Sequence, residues 1–312
     1  MATQQAGLGR FETRSPAAPA VAVAGRAPRG VWTITWERFR RHRLALVGLA
    51  VITVLGALAL LAPVIAPYEP NKTDLSAMLE GPSLAHPMGT DELGRDLFTR
   101  ILYGGRVSLA VGFLAVALSV TIGTAVGALA GYHGGWLDNA LMRVVDFMLC
   151  LPTIFVLILL ATLFGTNPLT IVLVIGGLRW MSTSRLVRGS FLALREREFV
   201  EAARCLGAGP GRIMFRHVLP NSAGPIIVAA TLGVAAAILT ESSLSYLGLG
   251  IQPPMASWGN MLRNAQTQMV RAPWTAIFPG LMIFLTVLAM NYVGDGLRDA
   301  LDPRKSEGTG LR

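Results

Sequence analysis

Long runs without a charged residue dominate the chain: 44–68, 107–137, 147–178, 217–240 and 272–294. A membrane-spanning helix needs about 20 apolar residues, so each run holds at least one span. The third run is too long for one straight helix, and Gly165-Thr166-Asn167-Pro168 is a turn signal inside it. The pattern therefore predicts an all-α integral membrane protein in a lipid bilayer. Its six transmembrane helices are expected at about 44–66, 107–130, 141–164, 169–187, 224–244 and 274–293, within a permeating domain of 44–297.

The polar positions refine this outline. Pro63, Pro67 and Pro70 end the first span. In the outer segment that follows, Leu93, Leu97, Ile101 and Leu102 have helical spacing, with Arg95 and Arg100 elsewhere on the wheel. Asp91–Tyr103 is thus either an amphipathic surface helix or the first turns of the second span. Gly123, Gly127 and Gly131, at four-residue spacing, form a stripe that admits a close neighbour. Leu151-Pro152 predicts a kink in the third span. Arg179 and Arg185 fall in the fourth span, where a central charge costs about 2.5–3.5 kcal/mol, so both are expected near the membrane surface. Glu241, near the end of the fifth span, has no cationic sequence neighbour and is either a functional intramembrane acid or an interfacial one.

Between the fourth and fifth spans lies a polar insert, residues 195–220. Glu201-Ala202-Ala203-Arg204-Cys205-Leu206 starts as a helix, Gly207, Gly209, Pro210 and Gly211 break it, and Leu219-Pro220 marks a second break. That describes a short helix and a turn carried out of the membrane.

Charge places the insert. The formal net charge is +9, with eight arginines in residues 1–43 and eight more in 179–216. Lys and Arg beside spans are retained in the cytoplasm. Both clusters give one topology, with the N-terminus, the insert and the C-terminal tail 298–312 inside. No basic patch carries interleaved aromatics, so no nucleic-acid partner is expected. Residues 1–43, rich in Ala, Pro and Gly, are expected to be a disordered basic cytoplasmic tail. The first strong apolar run begins at Leu44 and is long enough to stay as an anchor, which argues against a cleaved leader; an organelle transit peptide is the weaker option. The two cysteines, Cys150 and Cys205, imply no disulfide framework.

Several chemistries are missing. No Gly-Lys dipeptide occurs, so the chain has no phosphate-binding loop of its own. There is no H-E-x-x-H, no G-x-S-x-G and no Cys/His cluster at metal-ligand spacing. Hence no catalytic residue, metal site or bound cofactor is expected.

The insert, with Glu201-Ala202-Ala203, Gly207 and then His217-Val218-Leu219-Pro220, resembles the EAA motif of importer-type ABC permease subunits. His217 stands where the commoner pattern has isoleucine, as in the peptide and nickel branch. His86-Pro87-Met88-Gly89-Thr90-Asp91-Glu92-Leu93-Gly94-Arg95-Asp96 and Ser245-Tyr246-Leu247-Gly248-Leu249-Gly250, followed by Ser257-Trp258-Gly259, are similar to outer elements of dipeptide, oligopeptide and nickel permeases. The resemblance covers about Trp36 to Pro303 and fits the second of two paired permease chains. It implies a bacterial cytoplasmic-membrane importer with a paralogous permease partner, an extracytoplasmic solute-binding protein and two cytoplasmic ABC ATPase subunits that bind ATP and Mg²⁺. Under it, Glu201, Ala202, Ala203, Gly207, Leu219 and Pro220 form the ATPase-docking coupling helix. Asp91, Arg95, Asp96, Glu241 and Trp258 would serve the gate or dock the binding protein. The competing expectation is a self-sufficient channel or ion-coupled carrier using Glu241 and the glycine-lined second span; a membrane enzyme is more distant, because no residue cluster nominates one.

Overall fold

A computed structural model describes residues 31–302, and these are almost wholly helical. The helices are α1 (Val31–Phe39), α2 (Arg43–Leu60), α3 (Ala62–Ile65), α4 (Leu97–His133), α5 (Gly135–Cys150), α6 (Thr153–Phe164), α7 (Pro168–Arg195), α8 (Glu198–Cys205), α9 (Pro210–Arg212), α10 (Leu219–Tyr246), α11 (Trp258–Ala265) and α12 (Trp274–Leu301). A 3₁₀ turn covers Leu75–Ala77, and a π-helical turn, Ile213–Val218, joins α9 to α10. No strand occurs among the described residues; Thr90 and Asp96 make an isolated bridge.

Local chemistry sets the helix starts. His42 caps α2 by accepting from the Ala45 N–H, Asp96 caps α4 through Thr99, and Asn167 caps α7 through Thr170 with Pro168 in the first turn. Four stretches are long and apolar enough to cross a membrane: α2, α4, the continuous run Pro210–Tyr246, and α12. Helices α5 and α6 pass the same test only as a pair, bent by 86° at their junction, as in a broken span or a re-entrant loop. The expected kink at Leu151-Pro152 is therefore a sharp corner, because Pro152 is extended and the chain must restart at Thr153. Helix α7 has the length, 28 residues, but its arginines and hydroxyl residues keep it below the apolarity of the others.

Close approaches fix the direction of each helix. Gly176 of α7 lies on Ala115, Gly123 on Trp180 and Thr183, and Gly131 on Arg188 and Phe191, so α4 and α7 run parallel in the most extensive contact of the fold. A β-carbon at Gly123 would sit 2.6 Å from that of Thr183, so the predicted stripe is filled by α7. The parallel pair requires the chain to return between them, which α5 and α6 accomplish. Helix α10 is antiparallel to α4 through Gly112 and Ile238, and α12 is antiparallel to α10 and α2 through Gly294 with Leu232 and Gly48 with Ala289. As a result the start of α2, the end of α12 and the end of α7 lie at one end of the bundle.

The sequence outline needs correcting at several boundaries. Residues 1–30 and 303–312, most of the two expected tails, lie outside the described residues. Residues 31–39, expected to be disordered, form a helix, because Phe39 is buried against Ala45 and Ala300 while Arg38 donates to the Asp302 carbonyl at 3.2 Å. Helix α4 starts at Leu97, ten residues before the expected span, since Asp96 caps it there; Asp91–Tyr103 thus holds a capped turn and the first turns of α4. Arg179, expected near a surface, is the twelfth of 28 residues in α7, about 17 Å along the helix.

Candidate functional site

Two groups of motif residues sit at opposite ends of α4. At the end where α7 emerges, Arg188 grips Asp138 with two bonds of 2.5 and 2.7 Å, and Arg195 donates to the Gly131 carbonyl at 3.3 Å. These contacts fix the stem from which α8 projects. Glu198 and Glu201 occupy the first turn of α8, where the helix dipole favours acids. Val200 and Ala203 bury themselves in a cluster with Phe191, Ile213 and Val218. Glu201 and Ala202 face outward, together with Leu206, which is 89% exposed.

The helix ends in a turn closed by Gly207 N–H on the Arg204 carbonyl (2.9 Å) and Ala208 N–H on the Ala203 carbonyl (3.0 Å). Gly207 has φ +80°, and a β-carbon there would meet nothing, so backbone conformation alone demands glycine. Leu219 is half-buried and Pro220 exposed at the start of α10, below the π-turn. Of the six expected docking residues, Leu219 and Pro220 open α10, while Glu201, Ala202, Ala203 and Gly207 share the α8 projection. Its outward face is formed by Glu201, Ala202 and Gly207, while Ala203 serves the inward face. Sequence reasoning missed the exposed apolar residues Phe199 and Leu206 of this projection; the signal was an apolar residue just before the helix-ending glycine.

At the opposite end the five other candidates are all buried. The Asp91 carboxylate accepts from the Leu93 and Arg95 N–H groups and pairs with Arg95 Nε at 2.7 Å and Arg100 Nε at 3.5 Å. Asp96 caps α4 and meets His86 Nδ1 at 2.9 Å. Trp258 donates its indole N–H to the Ile101 carbonyl (3.1 Å) and its backbone N–H to Ser108 Oγ (3.2 Å). Ser108 in turn donates to Glu241 at 3.1 Å, which also accepts from Ser245 at 2.8 Å. These buried side chains brace this end of the bundle from within. Ser108, Ser245, Ser257 and Asn260 complete this network and were not foreseen; Ser257-x-x-Asn260 is a capping pair that the sequence does display.

The geometry also bears on the carrier alternative. Glu241 is fully buried, more than one turn inside α10, and is surrounded by hydroxyl donors. The glycine stripe is covered by α7. Neither lines a passage in this conformation. No group of three or more His, Cys, Asp or Glu side chains converges on a metal position among the described residues.

Comparison with known proteins agrees with this architecture. Residues 123–307 match the family described as "Binding-protein-dependent transport system inner membrane component", and residues 30–82 match the "N-terminal TM domain of oligopeptide transport permease C". The chain is 45% identical over 273 residues to the dipeptide transport system permease protein DppC of Alkalihalophilus pseudofirmus, covering 88% of this chain and 90% of that one. It is 49% identical over 270 residues to a putative peptide permease protein of Brucella suis, with coverages of 86% and 89%. It is 44% identical over 283 residues to the glutathione transport system permease protein GsiD of Pectobacterium atrosepticum, with coverages of 90% and 94%. With more than half its length matched and relatives this similar along nearly all of it, the chain belongs to the family of binding-protein-dependent transport system inner membrane components.

Proposed function

We propose that this chain forms half of the membrane path of an importer for small peptides, driven by ATP that separate subunits hydrolyse. The observation that carries the reading is α8: a short helix held to the body by Val200 and Ala203, with Glu201, Ala202 and Leu206 offered outward. A chain without a phosphate loop needs a rigid handle for a partner that has one. The alternating helix directions fit six crossings, with α5 and α6 as the third, and they bring Arg38–Arg43 and the α8 projection to the same end. That end is the cytoplasmic one under the arginine rule, which places both termini inside. The named cargoes of the relatives, dipeptide, peptide and glutathione, favour a small peptide.

A paralogous permease would complete the path, and a solute-binding protein would meet the opposite end. The chain itself would bind no cofactor; ATP and Mg²⁺ belong to the ATPase subunits. Closure of those subunits would displace α8 and switch the helices between outward and inward openings. The test is co-purification and uptake with the double variant Glu201→Arg, Leu206→Asp. Loss of ATPase recruitment by tenfold or more, with the permease pair intact, is expected; full recruitment and uptake would sink the assignment. Uptake by this chain alone in ATP-free vesicles would restore the carrier alternative.

A further inference from the structure

Beside the middle of α7 lies a cavity of about 430 Å³, bounded by α4, α5, α6, α7 and α10 and lined by Arg179, Ser119, Thr153, Ser182 and Thr183 among apolar residues. Its polar side chains have no partner among the described residues. On the same helices, several hydroxyls away from the cavity fold back onto carbonyls one turn earlier, as Thr121 does on Ala117, Thr162 on Ile158, Thr231 on Ile227 and Thr240 on Ala236. Among the described residues, the four cavity hydroxyls make no side-chain hydrogen bond, and Arg179 makes neither a hydrogen bond nor an ion pair. Its neighbours along α7 are all engaged: Arg185 with Asp146, Arg188 with Asp138 and Arg195 with Glu196.

We propose that this cavity is a station for the C-terminal carboxylate of a peptide in transit, with Arg179 as its counter-charge. The inference rests on the peptide-importer reading and names a cargo contact within it. An unpaired cation midway along a span helix is costly, and it is retained where something anionic visits. A guanidinium offers two parallel donors to a carboxylate, and the surrounding hydroxyls suit the adjoining peptide group. The volume lies within the range of small-ligand pockets. Close packing of α4 on α7 at Gly123 holds Ser119 and Arg179 beside the same space.

The test uses the whole complex in proteoliposomes, fed by its loaded binding protein, with a dipeptide as cargo. Arg179→Gln is expected to lower uptake per ATP hydrolysed at least tenfold, whereas Arg179→Lys stays within threefold of wild type. Complex assembly and stimulated ATP hydrolysis should stay within twofold in both. The same dipeptide as its C-terminal amide, supplied at concentrations that saturate the binding protein, should cross poorly in wild type and no worse in Arg179→Gln. Equal proportional loss for acid and amide overturns the proposal, as does dissociation of Arg179→Gln complexes, which would assign Arg179 to a carboxylate on the partner permease. Equal uptake by the Gln and Lys variants also overturns it. Failure of wild type to carry either form would count against the importer reading itself.

Discussion

Asp91 shows how much one buried side chain can organise. Its carboxylate accepts from two backbone N–H groups and faces two guanidiniums, so Arg95 and Arg100 can both lie inside the protein. Removing one member of such a group leaves buried charge uncompensated, which costs about 3–5 kcal/mol. Asp91→Ala is therefore expected to lower the melting temperature in detergent sharply, and a melting curve like wild type would refute the bracing role. Glu241 permits a finer separation. In Glu241→Gln one oxygen still accepts from one of Ser108 and Ser245 while the amide N–H₂ can donate to the other hydroxyl, whereas Glu241→Leu leaves both hydroxyls buried without a partner there, at about 1–3 kcal/mol each. Thermal unfolding should thus barely move for Gln and fall clearly for Leu, with uptake following stability. If Gln abolished uptake at unchanged stability, the acid would have a transport role of its own. The link from Ser108 to Glu241 was not visible in the sequence, because the two stand 133 residues apart and meet only after α4 and α10 pack.

Elements were more legible than residues, for reasons that particular helices make plain. Apolar length exposed α2, α10 and α12, and Pro152 marked the break between α5 and α6. The start of α4 was misjudged because the search followed loss of charge, whereas the cap at Asp96 decides where the backbone becomes helical. Helix α1 was missed because arginines surround Phe39, which docks it. For α8 the sequence supplied the terminator, Gly207, while the helix begins at Glu198, three residues before the expected start at Glu201. Gly207→Ala forces a β-carbon into a left-handed conformation at about 1 kcal/mol without touching a neighbour. ATPase binding in a pull-down titration should weaken by about fivefold to tenfold while the permease still folds. Gly123→Leu, by contrast, would drive α4 from α7 and should prevent folded material from accumulating, as scored by detergent-stable yield.

For the molecule as a whole, the helix directions put Leu206 and Leu84, both fully or nearly fully exposed, at opposite ends. In a version with Cys150 and Cys205 replaced by serine, a cysteine at position 206 should react with impermeant maleimide only after the membrane is opened. A cysteine at position 84 should react in intact cells. Reaction of both from the same side would overturn the six-crossing topology. The run Pro210–Tyr246 has a mechanical consequence of its own. It passes without interruption from the base of the α8 projection, through the π-turn, to Glu241 and Ser245. At 1.5 Å per residue it is a rod of about 55 Å. A tilt of about 10° at its lower end would carry the upper end sideways by roughly 10 Å, so a small push from a partner beneath is geared up into a displacement as wide as a helix.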